Sequence, residues 1–230
     1  MKTIGILGGM GPLATVDLFQ KIVLHTNAKN DQDHIPMIID NNTRIPDRTE
    51  SILNKDGACV KELFNSCHRL EKAGVDFIII ACNTSHYYYD ELIKYTSTPI
   101  LHMPRITAKK VKKKGIKKVG ILGSIGTMKV GLYQHALKEV GVEYLVPNTK
   151  EQNMVHDLIY KGVKAGYYPK DGFGMEKVLE SLKEQGAEAF ILGCTELPLG
   201  MENYPWEYTW IDPTLELAKE AILFAGGTWI

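Results

Sequence analysis

Short apolar runs alternate along the chain with segments whose apolar positions recur every three or four residues. The run at residues 3–7 predicts a strand, and Gly8-Gly9-Met10-Gly11-Pro12 closes it. Leu13, Val16, Leu18, Phe19, Ile22 and Val23 then keep helical spacing, with Pro12 suited to a first helical position. Residues 37–40 read as a second strand and 41–49 as a polar loop rich in Asn, Pro, Asp and Arg. A helix is predicted over 58–72, stopped near Gly74, then a buried strand over 75–81 and a helix over 85–95. Strand and helix in strict alternation predict a parallel α/β fold, each strand returning through a helix.

The pattern then repeats. Lys118-Val119-Gly120-Ile121-Leu122-Gly123 echoes Thr3-Ile4-Gly5-Ile6-Leu7-Gly8, an offset of 118 − 3 = 115, and a helix is predicted over 127–140. Gly74-Val75-Asp76 and the apolar run to Cys82 recur as Gly186-Ala187-Glu188 and the run to Cys194, an offset of 194 − 82 = 112. Ile100-Leu101-His102-Met103-Pro104 is echoed by Trp210-Ile211-Asp212-Pro213. Ordered matches at similar offsets point to internal duplication of a domain rather than to a solenoid. The expected division is 1–98 with 206–230 as a first α/β domain carrying Cys82, and 99–205 as a second carrying Cys194. The last strand and helix, 208–224, are expected to pack back on the first domain.

Composition narrows the class. The chain has 230 residues, with 27 Lys and Arg balancing 27 Asp and Glu, so no charge excess marks a nucleic-acid binder. Lys109, Lys110, Lys112, Lys113 and Lys114 precede Gly115 and read as a solvated helix end, where cations suit the helix dipole. No apolar run approaches a membrane span, and no secretory signal pattern opens the chain, so a cytoplasmic, reducing setting with free thiols is expected. The cysteines are Cys59, Cys67, Cys82 and Cys194, with no C-x-x-C among them. His86, His102, His135 and His156 have no ligand spacing, so no metal is expected.

Chemistry concentrates where ligands bind in open α/β sheets, beyond the carboxyl ends of the strands. Cys82 and Cys194 both fall there, at strand-to-helix turns, whereas Cys59 and Cys67 fall inside a helix pattern and read as structural. A helix N-terminus carries positive potential and is expected to lower a thiol pKa. Asn83, Thr84, Ser85 and Thr195 follow the cysteines and serve equally as caps or as clamps for a carboxylate. Gly9 and Gly11 could open a dinucleotide fingerprint, but its third glycine position is Ala14 and Asp40 lies late for the acidic partner, so NAD is disfavoured. Arg44, Asp47 and Arg48 in the polar loop, and Lys164 near a helix end before Gly166, read from the residues alone as surface charge.

These motifs resemble the aspartate/glutamate racemase superfamily, most closely its cofactor-independent aspartate racemases. The resemblance runs through the opening twelve residues, Asn41-Asn42 with Ile45-Pro46-Asp47-Arg48-Thr49, Cys82-Asn83-Thr84 and Gly193-Cys194-Thr195-Glu196, and spans essentially the whole chain. It implies two pseudo-symmetric, doubly wound parallel-sheet domains with the active site in the cleft between them. Cys82 and Cys194 are then opposed general base and acid, with no cofactor. Arg48 and Lys164 read the distal carboxylate of aspartate. Asn83, Thr84 and Ser85 hold the α-carboxylate end, helped by Met10, Gly11, Thr127 and Thr195. The partner is an acidic amino acid, with no nucleic acid and no membrane, and the family implies a homodimer.

Departures from the family's other branches refine the expectation. Glutamate racemases carry a D-S-G-type turn after the first strand and a histidine after the second Cys-Thr; this chain has Gly8-Gly9-Met10-Gly11 and Glu196. Some broad-specificity relatives replace the first cysteine with threonine, and arylmalonate decarboxylases keep one cysteine; here both are present. The competing readings are a racemase for glutamate or a wider amino-acid set, a maleate-type isomerase, and a non-catalytic small-acid binding protein.

Overall fold

The structure, a computed structural model, describes residues 1–230. The chain divides into two compact units, Met1–Met103 with Thr214–Ile230, and Pro104–Pro213.

The first unit runs β1 (Ile4–Gly8), α1 (Pro12–His25), β2 (Met37–Asn41), α2 (Arg48–Asn54), α3 (Val60–Lys72), β3 (Phe77–Ile80) and α4 (Tyr89–Tyr95), with a 3-10 turn, Thr84–Tyr88, before α4. Its sheet is parallel in the order β2-β1-β3, with Ile4 opposite Met37 and Phe77. Every residue of β1 and β3 is buried, as expected of strands covered by helices on both faces. Helix α3 shows how the sequence makes its own face: Leu63, Ser66, Cys67 and Leu70, at helical spacing, are its buried residues. Cys67 therefore belongs to the core, where burial pushes its thiol up to about 12.

The second unit runs α5 (Met103–Lys113), β4 (Lys118–Gly123), α6 (Ile125–Val130), α7 (Leu132–Val140), β5 (Glu143–Leu145), α8 (Thr149–Asp157), a π-helical continuation Leu158–Lys164, α9 (Met175–Glu184), β6 (Ala189–Gly193), α10 (Leu197–Met201) and β7 (Trp210–Ile211). Its sheet is again parallel, in the order β5-β4-β6-β7. Side chains alternate across it. Leu122, Phe190 and Leu192 join α8, α9 and α10 on one face, while Val119, Ile121, Ala189 and Ile191 join α5 and α7 on the other. The helix predicted over 127–140 is broken: Gly131, in the left-handed region at φ +67, ends α6 and starts α7.

The third echo is met in both sheets. Ile100 pairs in parallel with Ile78, and Trp210 and Ile211 pair with Phe190 and Ile191. The segment 208–224 does not return to the first unit as a block, because β7 hydrogen-bonds to β6 and keeps Trp210 and Ile211 in the second unit. Only α11 (Pro213–Phe224) returns, from Thr214 onward. Likewise the pairing of Ile100 holds the chain in the first unit as far as Met103. The division falls at those strand ends, after 103 and 213 rather than 98 and 205. Helix α5 closes with Lys110, Lys112 and Lys113, and Gly115 follows at φ +75, as the basic run predicts. No helix is long and apolar enough to cross a membrane.

Candidate active site

In the first unit the strand ends carry Gly8 to Gly11 after β1 and Cys82 after β3. Gly9 has no alternative there. At φ +88 a Cβ on it would lie 2.5 Å from the carbonyl carbon of Asn42, so only glycine lets the two backbones approach. The Gly9 N–H donates to Thr15 Oγ1 at 2.9 Å, which ties the turn to α1. Met10 is buried, and its carbonyl accepts from Arg48 Nη2 at 2.8 Å. Arg48 Nη1 donates to the Pro46 carbonyl at 3.0 Å, and Ser85 Oγ lies 3.1 Å from Met10 Sδ. Met10, Arg48 and Ser85 thus meet in one buried cluster.

Arg48 is not a loop residue as expected. Asp47 caps α2 by accepting from the Glu50 N–H at 3.0 Å, so Arg48 is the first helical residue and is only 8% exposed. The helix expected over 85–95 begins instead as the 3-10 turn, with Asn83 at its N-cap position.

Cys82, Asn83, Thr84, Ser85 and His86 are all buried. His86 anchors the group. Its Nδ1 lies 2.9 Å from the Cys82 carbonyl and 3.2 Å from the Asn83 carbonyl, and its Nε2 accepts from the Met103 N–H at 3.2 Å. Burial lowers its pKa to about 4, against the opposing pull of the Cys82, Asn83 and Leu101 carbonyls. The ring is therefore neutral near pH 7. Because Nε2 accepts, the proton sits on Nδ1 and is donated to Cys82.

In the second unit Cys194 follows β6. Its Sγ donates to Glu196 Oε2 at 3.0 Å, and Thr195 Oγ1 donates to the same oxygen at 3.2 Å. Lys164 Nζ lies 3.4 Å from Glu196 Oε1 and 4.9 Å from the centre of the Tyr160 ring. Glu196 is only 4% exposed. A carboxylate so buried needs these partners, and the lysine supplies the countercharge. Burial first, then the Glu196 charge and its hydrogen bond, push the Cys194 thiol well above its ordinary range, with Lys164 pulling the other way. This reverses the expected lowering. The adjacent carboxylate and the burial outweigh any helix-terminus effect, and Cys194 rests as a protonated thiol.

Thr127 is buried, but as part of a cap: Ser124 Oγ accepts from the Thr127 N–H at 3.2 Å and lies 3.1 Å from Thr127 Oγ1. Gly11 occupies the N-cap position of α1, with Pro12 next. Two residues with a hand in this chemistry were not singled out by sequence. Glu196 stands out in the chain only as a departure from a histidine, and its burial is invisible there. His86 acts through backbone groups, one of them the N–H of Met103, 17 positions on. No group of three or more His, Cys, Asp or Glu side chains is placed to hold a metal.

Residues 7–221 match the family model described as Asp/Glu/Hydantoin racemase. A broad-specificity amino-acid racemase, RacX, of Bacillus subtilis (strain 168) is 31% identical over 223 residues, 95% of this chain and 96% of that protein. Among solved structures, Picrophilus torridus aspartate racemase superposes with a TM-score of 0.86 at 31% identity, covering 100% of this chain and 96% of the other. An aspartate racemase homologue from Pyrococcus horikoshii OT3 gives 0.79 at 27% identity, over 98% of this chain and 100% of that one.

Proposed function

Since the chain belongs to the Asp/Glu/hydantoin racemase family, we propose that it interconverts L- and D-aspartate by a two-base mechanism, with Cys82 and Cys194 as the proton-transfer groups and no cofactor. The observation that carries this reading is the placement of the two thiols, each at the carboxyl end of a buried, internally equivalent parallel strand. The mechanism requires both strand ends to face one α-carbon. Cys194, held as a thiol against Glu196, enters as the donor. Cys82 takes the α-proton on one face while Cys194 delivers its own on the other, so one proton leaves carbon and one arrives. The thiolate left at position 194 then sits beside the Glu196 carboxylate, and Lys164 offsets the two charges. The next turnover runs in the opposite sense and restores the starting state.

In this reading Arg48 and Lys164 read the distal carboxylate. Lys164 would then bridge Glu196 and the substrate, and Arg48 would share its guanidinium between the Met10 carbonyl and the ligand. Backbone N–H groups of the turns after Cys82 and Cys194, with Asn83, Thr84, Ser85 and Thr195, stabilise the enediolate that forms at the α-carboxylate. Met10, Gly11 and Thr127 are assigned in this reading to substrate binding. The likeness to a broad-specificity racemase makes a wider amino-acid range the second reading.

The test is α-hydrogen exchange in D₂O with optical rotation followed alongside, on aspartate, glutamate and alanine. Wild type is expected to incorporate deuterium and lose rotation on aspartate, and Cys82→Ala and Cys194→Ala to do neither as racemases while keeping the native circular dichroism. Normal turnover by either variant would sink the two-base mechanism. Equal rates on all three amino acids would favour the broad-specificity reading.

A further inference from the structure

We propose that His86 is a positioning residue that fixes Cys82 for proton transfer by bracing the Cys82 turn against the chain where it leaves the first unit. The inference rests on the reading of Cys82 as a reacting thiol, but names a residue that no motif marks and that does not itself meet the substrate.

The imidazole is buried and works at both ends. Nδ1 donates to the Cys82 carbonyl at 2.9 Å and shares the bond with the Asn83 carbonyl at 3.2 Å. Those are the carbonyls of the thiol-bearing residue and of its neighbour. Nε2 accepts from the N–H of Met103 at 3.2 Å. Met103 is both the first residue of α5 and the last of the first unit. The ring therefore spans from the reacting turn to the crossover. A second ring, His102, lies against it with centroids 5.3 Å apart, and Tyr89 closes on His102 at 4.5 Å while its hydroxyl donates to the Ile100 carbonyl at 3.2 Å. The brace is thus packed in place by two edge-on aromatic contacts.

The other cysteine has no such brace. The offset of 112 carries His86 to 86 + 112 = 198, which is Pro198. There the Cys194 carbonyl accepts instead from the Leu197 N–H at 3.0 Å, a bond within the helix start. A side-chain clamp in one half and a backbone turn in the other means that the imidazole is not a requirement of the fold at this point. It is an addition specific to Cys82.

Two substitutions separate the ends of the brace. An Asn side chain places its amide N–H near Nδ1, and a Gln side chain places its carbonyl oxygen near Nε2. His86→Asn keeps the bond to Cys82 and drops that to Met103; His86→Gln does the reverse. A displacement of the reacting group by a fraction of an ångström costs rate rather than binding, so His86→Gln is expected to lose about tenfold or more in kcat with KM within about twofold, and His86→Asn, which leaves the turn bonded but no longer braced, to lose several-fold. Alkylation of Cys82 by iodoacetamide, quantified by peptide mass spectrometry, is expected to change several-fold in His86→Gln, with Cys194 unchanged in both variants. Equal kcat in all three proteins, or equal losses in both variants with Cys82 alkylation unchanged, would overturn the proposal and reduce His86 to a core residue. Alkylation does not depend on turnover. A wild type that racemises no amino acid, yet shows the Cys82-specific change, would therefore retire the racemase reading and keep the brace.

Discussion

Acidification should destabilise the first unit through His86 before the carboxylates respond. Burial lowers its pKa from 6.5 to about 4, so between these values the unfolded chain binds a proton that the folded chain refuses. Stability from this group is complete above the unfolded value and is lost as pH falls toward the folded one. The full span, 6.5 − 4 = 2.5 units, corresponds to about 3 kcal/mol at 1.36 kcal/mol per unit. Between pH 7 and pH 5 the two titration curves give a loss of about 2 kcal/mol, already a large share of a typical domain's stability. Asp56, Glu62 and Glu71 have carboxyls held below their ordinary values, chiefly by hydrogen bonds from Ala58, Asn42 and Ser97. Their contributions are present above the carboxylate range and fade only as pH falls through it, below the window used. The assay is hydrogen exchange of the Ile4–Gly8 and Phe77–Ile80 amides in urea at pH 7, 6 and 5, for wild type and His86→Gln, corrected for intrinsic exchange. Subtracting the variant removes His102, Tyr89 and every carboxylate, which both proteins retain. Parallel pH profiles in the two proteins would refute a buried neutral His86.

Glu196→Gln removes the charge beside Cys194 while keeping the side chain's size, so the pH profile of Cys194 alkylation should move to lower pH. Lys164→Met should move it to higher pH; shifts of the same sign in both variants would contradict the assigned electrostatics. Gly9→Ala is expected to cost roughly 1–3 kcal/mol from backbone strain alone, before its contact with Asn42. Gly74→Ala, at φ +79 with nothing within 4 Å of the added carbon, should cost only about 1 kcal/mol. Similar urea midpoints for these two variants would show that the approach of Gly9 to Asn42 does not matter.

Much of this architecture is legible because it depends on local pattern. The apolar runs before Gly8 and Cys82 become β1 and β3, and the spacing of Leu63, Cys67 and Leu70 separates a structural cysteine from those at strand ends. Arg48 reads as a loop residue although Asp47 and Glu50 carry a helix-start signal, because the surrounding Pro and Asn residues dominate the local composition. The fate of Trp210 and Ile211 depends on which sheet offers an open edge, a non-local matter that periodicity does not encode. Lys164 meets a residue 196 − 164 = 32 positions on. Its pairing with Glu196 follows from folding alone, as does the burial that, with the Glu196 charge, raises the Cys194 thiol against the pull of Lys164.

The two halves repeat the strand ends but not their surroundings, and thermodynamics limits what that difference can do. Position 84 + 112 = 196 exchanges Thr84 for Glu196, so one cysteine has a hydroxyl where the other has a carboxylate. Position 86 + 112 = 198 exchanges the His86 brace for Pro198. Enantiomers have equal free energy in achiral solvent, so for a racemase kcat/KM must be equal in the two directions whatever the enzyme does. The unequal sites can change kcat and KM for the two enantiomers only in proportion. On the proposed two-base mechanism, a thiol held protonated by burial and Glu196 favours the enzyme form that gives its proton from Cys194. The enantiomer that needs this form should therefore bind with the lower KM and turn over with the correspondingly lower kcat. Weakening that preference by Glu196→Gln should draw the two KM values together and the two kcat values with them. A ratio of the two KM values that Glu196→Gln leaves unchanged would mean that the carboxylate beside Cys194 does not set which form of the enzyme is favoured.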